Sequence, residues 1–90
     1  MVETENEIIE TDDLGDGWVS YIIREHTPLG TRYSIQVDYK HEGQSLVYYG
    51  PVSRYEETIR RIKPVAIEKA KSAYTGSEFT LVDARDYLVD

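Results

Sequence analysis

The chain contains no cysteine among its 90 residues, so disulfide bonds and thiolate metal sites are both excluded. A small domain without disulfides is typical of a reducing compartment, and we therefore expect a cytoplasmic location. The longest apolar runs, 21–23 and 46–49, are much shorter than a membrane span. No apolar segment of the secretory type follows the acidic N-terminus. We therefore expect no association with a membrane.

Basic residues are missing from the first sixteen positions, which contain seven acidic residues. The other ten acidic residues are balanced by ten basic residues in 17–90, so the net charge of −7 belongs to this segment. Large apolar residues are also scarce there, and the segment closes with Gly15-Asp16-Gly17. This composition predicts a flexible acidic tail over 1–16 and a single domain over 17–90. The alternative is that Ile8 and Ile9 add a short strand to the domain.

Three strands are predicted after the tail. Residues 18–24 are rich in aromatic and β-branched side chains, and residues 45–49 form a similar run before Gly50-Pro51. Residues 32–40 alternate between apolar and polar side chains, as in an antiparallel strand with one solvated face. The segment 41–44 contains a glycine and is predicted to be a hairpin loop.

A helix is predicted next, because Ser53 and Glu56 have the spacing of a capping box. Its apolar stripe follows at steps of three and four residues and comprises Tyr55, Ile59, Ile62, Ala66, Ala70 and Ala73. Pro64 either kinks one long helix, which the unbroken stripe favours, or begins a second helix. Gly76 is the expected C-terminal cap, and 79–82 is the expected last strand. The predicted fold is α+β, a small and mainly antiparallel β-β-β-α-β sheet with one long helix on one face.

Catalytic and metal-binding patterns are not found in the sequence. His26 and His41 lie in different loops without further ligands at a suitable spacing. Asp12, Asp16 and Gly17 do not complete a calcium loop, and the glycines match no nucleotide-binding motif. We therefore expect no enzymatic activity, no metal and no cofactor.

Tyrosine is abundant, with eight residues in a chain too small to bury all of them. Tyr48 and Tyr49 are adjacent, so a strand places them on opposite faces, and at least one is expected on the surface. Tyrosine and tryptophan are favoured at protein interfaces because they bring a large contact area with little side-chain entropy. The residues predicted to bind a partner are therefore these aromatic anchors and the acidic guides of the tail: Trp18, Tyr48, Tyr49, Glu7, Glu10, Asp12, Asp13 and Asp16.

The leading hypothesis is a small protein-binding modulator or inhibitor that occludes a partner with a basic surface. The alternative is a nucleic-acid-binding module that uses a sheet face with Arg24, Arg32 and Lys40, although the acidic net charge opposes phosphate binding. A third alternative is a structural or interaction domain without such a site. Free sheet edges also leave a homodimer open.

In size, acidity, lack of cysteine and predicted order of elements, the chain resembles small phage-encoded host-takeover or anti-defence proteins and toxin-immunity proteins. The resemblance concerns overall character and assigns no residue a role. It implies a viral or mobile-element protein that inhibits a partner.

Overall fold

The structure is a computed structural model that describes residues 5–74. Four strands and one helix follow one another along the chain: β1 (Glu5–Gly15), β2 (Trp18–Thr27), β3 (Gly30–His41), β4 (Gln44–Ser53) and α1 (Glu56–Tyr74). The strands form one antiparallel sheet in the order β1-β2-β3-β4, and α1 packs on one of its faces. This arrangement confirms the α+β class. The predicted cap at Gly76 and the predicted strand 79–82 lie outside the described residues.

The acidic segment is a strand. Over Glu5–Gly15 it pairs with β2 along its length, so the prediction of a flexible tail is wrong there. Gly15-Asp16-Gly17 is the turn between β1 and β2, in which all three residues have positive φ angles, and is not a hinge. The ladder has register shifts at Ile9 and between Asp13 and Gly15. Ile9 bulges and packs against the core, while Ile8 stays 62% exposed.

The core lies between α1 and the sheet face that we call the helix face. The alternating residues of β3 point to it as predicted, with Ile35 and Val37 each 1% exposed. Tyr48 of β4 joins them at 5% exposure, and Ile22 of β2 is fully buried. From the helix, the predicted stripe contributes Ile59, Ala66 and Ala70. The other sheet face, which we call the outer face, has no helix on it within residues 5–74.

The helix begins at Glu56, two residues later than the capping box predicts. The Ser53 hydroxyl accepts a hydrogen bond from the Tyr55 backbone N–H at 3.0 Å, and Tyr55 itself is 57% exposed before the first turn. Tyr55 therefore does not belong to the buried stripe. The helix runs through Pro64 without a break, as the continuous stripe predicts. Within the described residues, no helix has the length and apolar character needed to cross a bilayer.

Gly50 and Pro51 continue β4 past the predicted end of the strand. Two residues of β4 stand opposite Ile35 alone, which makes a bulge. A Cβ atom on Gly50 would lie 3.1 Å from the Ile35 carbonyl oxygen, so this close approach favours glycine. Proline is tolerated next to it because β4 is the last strand in the sheet order of the described chain.

Candidate functional site

The predicted anchor Tyr48 is in the core and cannot contact a partner without unfolding. Burial removes water from its phenol, which raises the pKa of Tyr48. Tyr49 points to the outer face and is half-buried beside a cleft of about 80 Å³. The two tyrosines lie on opposite faces, as predicted, but Tyr49 is half-buried and not fully exposed on the surface. As an interface residue, Tyr48 was the wrong choice, because the register of β4 turns it towards α1.

Trp18 lies at the border of the core and is half-buried. Its ring centroid is 4.4 Å from that of Tyr39, and the Lys71 amine lies 5.9 Å from the centre of the indole. A cation over an aromatic face is attracted by the ring quadrupole, so this contact fixes the last turns of α1 to the sheet. Trp18 therefore contributes to packing on the helix face.

Three of the predicted acidic guides lie on the helix face of β1 and are paired with cations. Glu10 accepts hydrogen bonds from Arg60 Nη1 and Lys63 Nζ, each at 2.7 Å. Asp12 also accepts a hydrogen bond from the Lys63 amine. Glu7 lies 3.5 Å from Arg24 Nη1 and contacts His26 Nε2 at 2.8 Å. These carboxylates therefore connect β1 to the rest of the fold.

Glu56 completes the arrangement from the first turn of the helix. Its carboxylate accepts a hydrogen bond from Arg60 Nε at 2.8 Å and lies 3.7 Å from Arg24 Nη2. We call the whole group the ion-pair cluster: Glu7, Glu10, Asp12, Arg24, Glu56, Arg60 and Lys63.

Proton affinities in the cluster follow from these contacts. Hydrogen bonds from Lys63 and Arg60 lower the pKa of Glu10, because they stabilise its charged form. Partial burial alone would lower the pKa of Lys63, but hydrogen bonds to Asp12 and Glu10 raise it overall. Both shifts favour the charged forms of Glu10 and Lys63, which attract one another across the gap between β1 and α1.

Replacing Glu10 with glutamine should therefore lower the free energy of unfolding at pH 7 by about 1 to 2 kcal/mol. Because the pKa of Glu10 is depressed in the fold, its contribution is present above the ordinary glutamate pKa of about 4.3. It is lost as the pH falls through the lower folded value. Urea unfolding of both proteins from pH 7 to pH 3 should show their difference closing in acid. Glu68→Gln, at an exposed helix position, is the control and should change stability by less than about 0.5 kcal/mol. A difference that does not narrow between pH 7 and pH 3 would contradict this role for Glu10.

Two other guides remain exposed. Asp16 is in the β1–β2 turn with a φ of 55°, and Asp13 Oδ1 accepts a hydrogen bond from the Gly15 N–H at 2.9 Å. Glu5, at the start of β1, is exposed as well. None of these three carboxylates forms an ion pair within residues 5–74. They leave the β1 edge negative at both ends.

The proposed nucleic-acid face is divided by the structure, which corrects that prediction. Arg24 lies opposite Tyr33 on the helix face, with its guanidinium 5.7 Å from the centre of that ring. Arg32 is on the outer face, where its Nε donates to Glu25 at 2.7 Å. Lys40 is exposed at the far end of β3. The alternation of side chains places Arg24 on the face opposite to Arg32 and Lys40. Arg32 and Lys40 share the outer face of β3 but lie near opposite ends of the strand, so the three cations form no single surface.

Three side chains that bind the carboxylates of β1 were not predicted from the sequence: His26, Arg60 and Lys63. The spacing of Arg60 and Lys63 indicated one side of a helix, but the pairing of that side with β1 depends on the fold.

Within residues 5–74 no group of three metal-ligating side chains occurs. A groove of about 430 Å³ lies beside the start of the helix and is lined by Tyr33, Arg54, Tyr55, Glu56, Glu57, Thr58 and Arg61. Its two arginines and two glutamates balance in charge. Comparison of the chain with protein-family models, curated proteins and solved structures found no match.

Proposed function

We propose that this chain is a non-enzymatic binding module that occupies a basic surface of a partner protein and thereby blocks it. The observation that supports this function best is the character of β1. In the sheet of residues 5–74 it is an edge strand of eleven residues that contains no lysine or arginine, and its extended backbone holds the acidic side chains in an array. Acidic groups on a rigid element accelerate encounter with a basic surface and need no ordering when they bind.

The structure changes the form of the original hypothesis. In this proposal the acidic residues do not act as a mobile tail, because Glu7, Glu10 and Asp12 form ion pairs within the ion-pair cluster. The contact surface moves to the exposed carboxylates of Glu5, Asp13 and Asp16 and to the exposed side chain of Ile8. An inhibitor of the phage-encoded or immunity type, acting in the cytoplasm, is the biological form that we propose for this module.

Neutralising the three exposed acids should weaken binding without unfolding the protein. The variant Glu5→Gln, Asp13→Asn, Asp16→Asn keeps the oxygen acceptor at position 13 and raises the net charge by about three. We expect the affinity for the partner to fall at least about tenfold at low salt, with most of the loss disappearing at high salt. Surface plasmon resonance with the partner purified on the wild-type chain measures this change.

The matched control is Glu42→Gln, Glu57→Gln, Glu68→Gln, which changes the net charge equally at exposed positions away from β1. It should bind within about threefold of the wild type, because attraction between exposed charges is local at physiological salt. Equal losses in the two variants would show that only total charge matters and would refute a role for β1. Recovery of nuclease-sensitive nucleic acid in place of a protein would favour the alternative function.

A further inference from the structure

The free edge of β1 has the chemistry of a strand-accepting site. Within residues 5–74, β1 pairs with β2 on one side, and no described strand pairs with the backbone N–H and C=O groups along its other edge. Natural proteins protect such edges with charged side chains, proline, β-bulges or short strands. The carboxylates and bulge of β1 are protections of this kind, which oppose pairing with another acidic or neutral strand but not with a basic one. β1 has eleven residues, contains neither lysine nor proline, and is interrupted by one bulge at Ile9 and a second irregularity near Gly15. Its edge is therefore long enough to pair with an added strand.

The two faces of β1 differ in charge, and this difference restricts what can be added. The register places Glu5, Glu7, Glu10 and Asp12 on the helix face. Around them the helix face has five carboxylates, counting Glu56, against the four cations Arg24, Arg60, Lys63 and Lys71. The helix side of the edge thus stays negative after internal pairing.

The outer face of β1 is less charged. It presents Asn6, Ile8, Thr11 and Asp13, and Ile8 is its exposed apolar residue. Side chains of an added strand alternate between the same two faces. A matching strand would therefore have basic residues at every second position and small polar or apolar residues between them.

A second copy of this chain does not match. Pairing β1 with another β1 would bring carboxylates of the same sign together across the ladder, and like charges directly opposite one another are destabilising. A basic strand instead gains opposite-charge pairs along the helix face.

We propose that the free edge of β1 binds an extended segment of a partner protein in which lysine or arginine alternates with small polar or apolar residues. The segment adds a fifth strand to the sheet, with backbone hydrogen bonds providing affinity and the β1 carboxylates providing specificity. This inference rests on the proposed function and names the element of the partner that β1 recognises.

Synthetic peptides test the inference on the full chain. The probe is an eight-residue peptide of alternating lysine and threonine with blocked ends. The comparison peptide has the same sequence with every backbone nitrogen methylated, so it keeps its charge but has no N–H to donate. A third peptide replaces lysine with glutamate. We expect the unmethylated basic peptide to bind at least tenfold more tightly than the methylated one, and the acidic peptide not to bind.

Hydrogen exchange locates the bound peptide. The basic peptide should slow exchange of β1 amides, while amides in the hairpin turn at Glu42 and Gly43 should be unchanged. The variant Glu5→Gln, which removes a carboxylate from the helix face of β1, should bind the peptide several-fold more weakly than the exposed single-charge control Glu42→Gln.

The outcomes separate the two proposals. Equal binding of the methylated and unmethylated basic peptides would overturn strand addition and leave electrostatic binding of a basic surface in place. Protection of amides in another element, without protection in β1, would also overturn it. Failure of both basic peptides to bind at low salt would overturn the inference and the proposed function together.

Discussion

Replacing Tyr48 with alanine should lower the free energy of unfolding by about 3 to 5 kcal/mol, whereas Tyr49→Ala should cost about 1 kcal/mol. The two tyrosines are neighbours in β4, but Tyr48 is 5% exposed in the core and Tyr49 is half-buried on the outer face. Truncating Tyr48 removes a ring from between α1 and the sheet and leaves a cavity. Domains of this size have a total stability of about 5 to 15 kcal/mol, so Tyr48→Ala should approach the limit of folding.

Urea denaturation followed by circular dichroism measures both losses. Tyr48→Phe is the control, because it keeps the ring and removes only the hydroxyl, and it should cost about 1 kcal/mol or less. The comparison also tests the register of β4, since a shift by one residue would exchange the faces of the two tyrosines. A larger loss for Tyr49→Ala than for Tyr48→Ala would contradict the register.

Gly17→Ala should be the most damaging glycine substitution in the turns, with a loss of about 3 kcal/mol or more. Gly17 has a φ of 89°, and a Cβ atom there would collide with the Lys40 carbonyl oxygen. The positive φ costs a non-glycine residue about 1 to 2 kcal/mol, and the collision with backbone adds about 1 to 3 kcal/mol. The Gly17 carbonyl also accepts a hydrogen bond from the Lys40 N–H at 3.0 Å, so relief of the clash would disturb this contact between the β1–β2 turn and β3.

Gly43→Ala is the matched control. Gly43 has a similar φ of 81° in another two-residue turn, but no atom lies within 4 Å of the position of its Cβ. Its substitution should therefore cost only the conformational part, about 1 to 2 kcal/mol. The difference between the two variants in urea denaturation isolates the clash with Lys40. Equal losses would show that the turn moves freely away from β3.

The sequence predicts the fold well wherever one face of an element is apolar. In β3, apolar residues alternate strictly with polar ones, and the buried face is the predicted one. In α1, the apolar spacing continues through Pro64, and the helix is continuous. Both signals depend on hydrophobic burial, which is a property of local sequence periodicity.

The first strand shows why the same reasoning failed at the N-terminus. The helix face of β1 carries Glu10 and Asp12, whose partners Arg60 and Lys63 lie about fifty residues later in the chain. An inward-facing side that is charged has no apolar periodicity, so it has the composition of a tail. Ile8 and Ile9 were the remaining apolar residues that could indicate a strand. The bulge at Ile9 interrupts the alternation of side chains there.

Site residues were harder to predict. The alternation of side chains along a strand shows which residues share a face, but it does not show which of the two faces the helix covers. It separates Tyr48 from Tyr49, but the choice between them is made by the pairing of β4 with β3. The pairing of β2 with β3 also places Arg24 and Arg32 on opposite faces. Comparing the apolar positions of the two strands in the sequence would have predicted this separation.

The sheet order has a kinetic consequence. Each strand pairs with the strand that precedes it in the chain, and the loops between them contain two residues each. Successive hairpins therefore form with little loss of loop entropy, and ladder formation does not wait for distant segments to meet. Among residues 5–74, only the docking of α1 onto the finished sheet brings together parts of the chain that are far apart in sequence. We therefore expect rapid folding, in which hairpin formation precedes the joining of helix and first strand through their opposite charges.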